Sequence, residues 1–183
     1  MGFMAIREIL HKLGWSVGLG LGFIFLAACA GSTPQAHHQA GLVVIDGQGN
    51  IQKVCVDFSA SQINGLDLLQ GSGLDYSADV TNPLGVLVCR IGQQGCQYPQ
   101  QSCFCQCKTG QACLYWTYFV RHSGQNWVYA VAGASSTAVL PGDVNAWVWP
   151  KDAGTAANPP EALASLTFDQ VCSNPTAAPG PPS

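Results

Sequence analysis

The chain has 183 residues and a formal net charge of −3 at pH 7, and only 9% of its residues are charged. This acidic balance excludes the basic surface that a nucleic-acid binder requires, so we expect no nucleic-acid partner. Between Gly41 and Cys172 lie about 130 residues, which is enough for one domain and not two.

The N-terminus has the three-part layout of a secretory signal peptide. Basic residues at Arg7 and Lys12 precede an apolar stretch, Leu13–Ala28, and small residues surround Cys29. The sequence Leu-Ala-Ala-Cys ending at Cys29 resembles the bacterial lipobox, in which the signal is cut before the cysteine and the thiol carries diacylglycerol. An uncleaved membrane anchor is the alternative, but the stretch is shorter than the roughly 20 residues a spanning helix needs.

This layout predicts a signal peptide over residues 1–28 and a lipid on Cys29. The protein is then expected in the bacterial cell envelope, anchored to the membrane on its extracytoplasmic side. Residues 29–40 are small and polar, which is typical of a flexible tether. A domain is predicted over 41–172, and the Pro-rich residues 173–183 are predicted to be disordered.

The first predicted elements are a hairpin and a helix. Residues 42–46 and 51–58 are β-branched runs joined by a loop rich in Gly, Asp and Asn, which supplies the positive φ angles of a hairpin turn. The apolar spacing over 59–71 predicts a helix. Gly65 within it should weaken the helix by about 1 kcal/mol relative to alanine.

The rest of the domain is predicted to be mostly strands. Residues 85–91 form a strand that is apolar on both faces, and 92–113 form a polar loop rich in cysteine. Residues 114–121 and 127–131 are aromatic strands of a second hairpin, and 144–149 form the last strand after a Pro-Gly-Asp turn. The predicted class is α+β, with a mostly antiparallel sheet and one short helix.

Eight cysteines follow Cys29, and we predict that they form disulfides. They are Cys55, Cys89, Cys96, Cys103, Cys105, Cys107, Cys113 and Cys172. The three at positions 103, 105 and 107 would face one side of an extended chain, which is poor geometry for direct bridges, so we expect three different partners. Zinc is the alternative, but sites normally use Cys-x₂₋₄-Cys pairs, and none stands out. We predict no metal site. The spacing of the eight cysteines does not determine which of them pair.

Seven short motifs follow one another along the chain: Val-Cys-Val-Asp-Phe (54–58), Gly-Leu-Asp-Leu-Leu (65–69), Gly-Val-Leu-Val-Cys-Arg-Ile (85–91), Tyr-Trp-Thr-Tyr-Phe (115–119), Trp-Val-Tyr (127–129), Gly-Ala-Ser (133–135) and Pro-Gly-Asp-Val…Trp-Val-Trp (141–149). Their order resembles the transcobalamin-like C-terminal domain family. The resemblance covers residues 42–150 and implies a β-grasp-like α+β fold, with cobalamin as a candidate ligand.

The chain departs from that family in two respects. The cysteine cluster in the loop 92–113 is not an obligatory family feature, so the loop is an insertion or a subfamily trait. In transcobalamin the corrin lies between this domain and a large helical domain, which we do not expect in this chain. No corrin-contact motif matches residue by residue, so the resemblance assigns no binding residue.

The aromatic strands supply the candidate ligand contacts. Aromatic faces can stack on a flat ligand, while Trp N–H and Tyr O–H groups supply polar contacts. The candidates are Tyr115, Trp116, Tyr118, Trp127, Tyr129, Trp147 and Trp149. Each could instead belong to the core, but a layer with a single helix buries only one sheet face, so some should be exposed.

Two functions fit these expectations. The first is a lipid-anchored binding domain that presents a corrinoid or other small ligand to a membrane transporter. The alternative is a surface structural or protein-interaction module without a small-molecule ligand, whose open sheet edges could pair with a partner strand.

An enzyme is not expected. His122 lies beside Ser123 in a polar turn, and adjacent turn residues do not make an oriented nucleophile and base. The Cys-x-x-Cys spacing of redox exchange is absent. We therefore predict no catalytic residue.

Overall fold

The computed structural model describes residues 36–110, 113–151 and 158–173. The predicted signal peptide, the lipid on Cys29 and the tail from residue 174 onward lie outside the described residues. Within the described part, no helix has the length and apolar character that crossing a bilayer requires.

Ten strands and four short helices make up the described chain. The strands are β1 (His38–Ile45), β2 (Ile51–Phe58), β3 (Ile63–Asn64), β4 (Tyr76–Asp79), β5 (Leu87–Ile91), β6 (Gln94–Gly95), β7 (Thr117–Arg121), β8 (Val128–Tyr129), β9 (Ala138–Val139) and β10 (Val144–Val148). The helices are α1 (Gly65–Gly71), the 3₁₀ helix η1 (Ala134–Ser136), α2 (Glu161–Ala164) and α3 (Phe168–Cys172).

Five strands form the main sheet in the order β2-β1-β10-β7-β8. β10 lies parallel to β1, and the other neighbours are antiparallel. A three-stranded antiparallel sheet, β4-β5-β6, and the pair β3–β9 complete the architecture. The last strand therefore lies parallel beside the first, with α1 in the connection, which is a β-grasp-like arrangement. The predicted α+β class and mostly antiparallel pairing are confirmed.

The first hairpin forms as predicted because its turn is stabilised locally. The Asp46 carboxylate accepts hydrogen bonds from the backbone N–H groups of Gln48 and Asn50, at 2.9 and 2.8 Å. Its first strand, however, begins at His38, three residues before the predicted domain boundary at 41. His38 pairs with Phe58 at the far end of β2, so residues 38–40 belong to the main sheet and not to the predicted tether.

The predicted helix is real but shorter, since it begins at Gly65 rather than near Ser59. Asn64 caps it: the Asn64 side chain accepts from the N–H groups of Leu66 and Asp67, and Asp67 accepts from the Asn64 N–H. A methyl group on Gly65 would lie 2.0 Å from the hydroxyl of Tyr118. Glycine is therefore required at this position by tertiary packing, which the sequence pattern could not show.

The main sheet is buried on both faces. Leu68 and Leu69 of α1 belong to the core cluster on one face. On the other face a second cluster includes Leu163, Leu166 and Val171. Burying each such side chain contributes about 1.5–3 kcal/mol.

This second cluster corrects two expectations. The prediction of one short helix is incomplete, because residues 158–173 fold into α2 and α3. The expectation that only one sheet face would be buried is wrong for the same reason.

The eight cysteines downstream of Cys29 form four disulfides: Cys55–Cys172, Cys89–Cys103, Cys96–Cys105 and Cys107–Cys113. The three alternating cysteines have three different partners, as predicted. Two of these bridges attach the loop to β5 and to the residue after β6, and Cys55–Cys172 ties α3 to β2.

Candidate ligand-binding groove

Five of the seven candidate aromatic residues lie in the core, each with 8% or less of its surface exposed. They are Trp116, Tyr118, Trp127, Trp147 and Trp149. Tyr118 stacks on Trp147 with ring centroids 4.5 Å apart, and Trp116 meets Trp149 edge-on at 5.4 Å. Protein therefore covers nearly all of their surface. Only Tyr115 and Tyr129 are half-buried.

A cavity of about 180 Å³ lies beside these two tyrosines, and we call it the aromatic groove. Residues 82, 84–88 and 129–134 line it, together with Tyr115 and three core aromatics. Those three are Trp116, Tyr118 and Trp147. Most of the candidate aromatic residues therefore line the groove, but only Tyr115 and Tyr129 contribute exposed surface to it.

Backbone hydrogen bonds join the two lining segments. The N–H of Gly133 donates to the carbonyl of Leu84 at 2.8 Å, and the N–H of Ala134 donates to the carbonyl of Val86 at 2.9 Å. A methyl group on Gly133 would lie 2.4 Å from the carbonyl of Gly85. Glycine at 133 therefore allows the two segments to approach closely enough to form the groove.

Two apolar side chains of the groove point largely to solvent. Leu84 is 68% exposed and Val131 is 93% exposed. Neither lies in a helix or strand, so neither contributes to an apolar period that sequence reasoning could detect. Exposed apolar residues that converge on a concavity are typical of an interaction site.

The two tyrosines differ in their surroundings. Burial and the neighbouring phenol of Tyr115 raise the pKa of Tyr129 to about 12, so the Tyr129 hydroxyl is protonated at neutral pH. Such a hydroxyl both donates and accepts hydrogen bonds. Tyr115 also contacts Phe104 of the cysteine-rich loop edge-on, with ring centroids 5.6 Å apart. The loop that the disulfides hold therefore supports one side of the groove.

Burial also raises the pKa of Tyr118, whose hydroxyl accepts a hydrogen bond from the Asn145 amide. Asn145 is buried on β10. This pair satisfies two polar groups inside the core and fixes the ring that contributes to the groove.

His122 and Ser123, the histidine and serine considered for catalysis, lie around a buried carboxylate. Asp143 Oδ2 is 2.8 Å from His122 Nδ1, and Asp143 Oδ1 accepts from the backbone N–H of Ser123 at 3.0 Å. The same carboxylate accepts from the N–H of Leu140 at 2.9 Å. The contacts join two turns. Ser123 contributes its backbone here rather than its hydroxyl, and the absence of catalytic residues stays a prediction.

Within the described residues, no group of three or more His, Cys, Asp or Glu side chains is arranged to hold a metal ion.

Comparisons with known proteins found a family match over part of the chain and similarity to solved structures. Residues 108–181 match a family described as the SCO2322-like domain, which is less than half of the chain. No curated protein matches. A solved structure of a Ruminococcus gnavus protein, named a "putative metal binding protein", is 14% identical with a TM-score of 0.42. The match covers 62% of this chain and 96% of that one. The resemblance to the transcobalamin-like family stays a prediction.

Proposed function

We propose that the protein is a lipid-anchored extracytoplasmic binding domain and that its aromatic groove contacts a small ligand. The observation that carries this proposal is the pairing of exposed Leu84 and Val131 with half-buried Tyr115 and Tyr129 around one concavity. Apolar surface and a few polar hydroxyls together are the usual composition of a small-molecule site.

The size of the groove restricts how a ligand would bind. Its volume of about 180 Å³ is below the roughly 300–1,000 Å³ of sites that enclose a drug-sized ligand. A larger flat ligand would place one edge in the groove and rest the remainder on Leu84 and Val131. A corrinoid suits this geometry, and the transcobalamin-like motif order supports it. Lipid anchoring through Cys29 would hold the domain beside a membrane transporter that receives the ligand.

The test is a titration of the full-length protein, purified in detergent, with cyanocobalamin. Saturable changes in corrin absorbance and tryptophan fluorescence with a Kd near 1 μM, about −8 kcal/mol, are expected. Leu84→Ser should weaken binding about tenfold, because one apolar contact is worth roughly 1–2 kcal/mol. Leu140→Ser is the matched control, since Leu140 is 44% exposed and lies outside the groove.

The outcomes separate the ligand from the site. Absence of saturation at about 1 mM cyanocobalamin would sink the corrinoid version. An apolar fluorescent dye (anilinonaphthalene sulfonate) that binds the parent protein and Leu140→Ser but not Leu84→Ser would keep the groove as an apolar site. If neither probe distinguishes the two variants, the groove is not the binding site.

A surface interaction module is the second candidate, and the position of β2 favours it. β2 is eight residues long and lies at the edge of the main sheet. An open edge of that length can accept a partner strand through backbone hydrogen bonds. A proline at Lys53, in the middle of β2, would remove such pairing while leaving ligand binding at the groove unchanged.

A further inference from the structure

A second cavity, of about 500 Å³, shares Trp116 with the aromatic groove, but the rest of its lining differs in chemistry. Four segments of chain converge on it: the β1–β2 turn with the start of β2, the residues after α1, the β5–β6 turn, and the cysteine-rich loop. We call it the amide pocket. Its volume lies within the range of sites that enclose small ligands.

Glutamine side chains dominate the polar lining of the amide pocket. They are Gln48, Gln52, Gln93, Gln94 and Gln106. The Gln94 side chain is engaged, since its Oε1 accepts from the N–H of Gly47 at 2.8 Å. Among the described residues, the other four carboxamides have no protein hydrogen-bond partner. Each therefore offers one acceptor and two donor hydrogens to a ligand.

The apolar part of the lining comes from buried side chains of β1 and β5, of the chain after α1 and of the residue before β7. These are Val44, Leu74, Ile91 and Trp116. Trp116 is held in place by its indole N–H, which donates to the Gln94 carbonyl at 3.0 Å. Rigid apolar surface surrounded by amides suits a ligand with C–H faces and hydroxyl edges.

The charges around the pocket argue against an anionic ligand. Asp75 binds Arg90 through both carboxylate oxygens, at 2.7 and 3.0 Å, so this pair is neutral overall. Asp46 accepts hydrogen bonds from the backbone N–H of Gln48 and from the backbone and side chain of Asn50, and it keeps its negative charge. Among the residues that the structure describes, no lysine lines the pocket. A phosphate or carboxylate ligand would therefore meet repulsion without a free cation to bind it.

The disulfides give the pocket a fixed wall. Gln106 lies between Cys105 and Cys107, and both of these cysteines are in bridges. Cys96–Cys105 ties this part of the loop to the chain that follows the β5–β6 turn, where Gln93 and Gln94 lie. A preorganised wall of this kind loses little entropy when a ligand binds.

We propose that the amide pocket binds a neutral oligosaccharide. Sugar hydroxyls both donate and accept, as carboxamides do, and the C–H faces of sugar rings match the aliphatic lining. A neutral peptide offers similar hydrogen bonds, so it serves as the alternative in the test.

The full-length protein in a non-sugar detergent is titrated by calorimetry with maltotriose and with triacetylchitotriose. Saturable binding of at least one sugar with a Kd of about 1 mM or tighter is expected. The double variant Gln93→Ala/Gln106→Ala should weaken it at least about fivefold, since two hydrogen bonds are lost. Both side chains are exposed, so the fold should be unaffected.

The matched control is Gln62→Ala/Gln125→Ala, which removes two exposed glutamines outside the pocket and should leave the Kd unchanged. Equal weakening in both double variants would overturn the proposal. So would binding of hexaglycine without binding of either sugar, tighter binding of a glucuronate oligomer than of neutral sugars, or no heat of binding with any probe. None of these results bears on cyanocobalamin binding at the aromatic groove.

Discussion

The disulfide between Cys55 and Cys172 should be the largest single covalent contribution to stability. It joins the edge strand β2 to α3, the helix that covers the second face of the main sheet. Replacing both cysteines by serine leaves the other three bridges intact. We expect the double variant to fold and to be much less stable than the parent.

The magnitude follows from the length of chain that the bridge closes. Its cysteines are 117 residues apart, and the other bridges shorten the connecting path. For a loop of about 100 residues, the chain-entropy estimate is about 4.7 kcal/mol. The bridge Cys107–Cys113 spans only six residues, for which the same relation gives about 2 kcal/mol. The long-range bridge should therefore contribute more than twice as much.

Equilibrium unfolding in urea without reductant measures the difference, with tryptophan fluorescence as the signal. The Cys107→Ser/Cys113→Ser variant is the control, because it loses the same chemistry with a short loop. Trp127 reports on the second face: its indole N–H donates to the Leu166 carbonyl at 3.2 Å. A native-state red shift specific to the long-range variant would show that residues 158–173 detach before the sheet unfolds.

The reasoning fails if the two variants lose the same free energy of unfolding. Equal losses would mean that the segment carrying Cys172 adds nothing to the cooperative unit or stays associated with β2 in the unfolded chain. A loss confined to the slope of the unfolding curve, with an unchanged free energy, would point to the denatured state and would equally contradict the estimate.

Two further predictions concern the core tyrosines. Gly65→Ala should destabilise the protein by about 1–3 kcal/mol, because the new methyl group overpacks against the Tyr118 hydroxyl. In a double-mutant cycle, adding Tyr118→Phe to this variant should recover part of the lost free energy of unfolding. Stability should also fall as pH rises above about 10, the unfolded pKa of tyrosine: the unfolded chain then loses phenol protons that folded Tyr118 and Tyr129 retain, because their pKa values are raised. Urea titrations at successive pH values measure this fall in stability, which continues through about pH 12 for Tyr129. The fall should be smaller in Tyr129→Phe. A stability that does not change with pH in the parent protein would contradict the burial of these phenols.

Local chemistry explains which parts of the fold were predictable. The first hairpin follows from the Asp46 turn, whose contacts join residues near in sequence. Cys103, Cys105 and Cys107 have separate partners as predicted, but the premise of an extended chain was wrong, because the N–H groups of Cys105 and Cys107 donate to the carbonyls of Ser102 and Phe104 and fold this part of the loop into turns. The start of α1 was predicted less well, because two serines upstream, Ser59 and Ser61, are as good candidate caps as Asn64, the actual one.

The helices after residue 158 were missed although the sequence contains their signals. Thr167 and Gln170 form a capping box, in which the Thr167 side chain accepts from the Gln170 N–H and the Gln170 amide oxygen accepts from the Thr167 N–H. Pro160 precedes the first residue of α2. Helices of four and five residues are too short to show an apolar period, so pattern reasoning did not find them.

Missing α2 and α3 had a direct effect on the predicted site. With both faces of the main sheet covered, most of the candidate aromatic residues became core, and the exposed apolar side chains of the aromatic groove lie in the segments around residues 84 and 131. Whether a tryptophan is covered depends on residues more than 30 positions away in the chain, such as Leu166, whose carbonyl accepts a hydrogen bond from the Trp127 indole. The sequence alone could not decide which aromatic rings are covered and which are exposed, and the binding role of this segment stays a prediction.

Because Trp116 lines both proposed sites, variants are needed to tell which of the two sites a ligand occupies. Its indole lines the aromatic groove and the amide pocket, so a fluorescence change alone does not tell which cavity is occupied. Leu84 lines only the first cavity and Gln93 only the second. If the sites are independent, Leu84→Ser should change the affinity for cyanocobalamin and not for a sugar, while Gln93→Ala/Gln106→Ala should do the reverse. Cross-effects in both directions would instead mean that the two cavities form one extended site divided by Trp116.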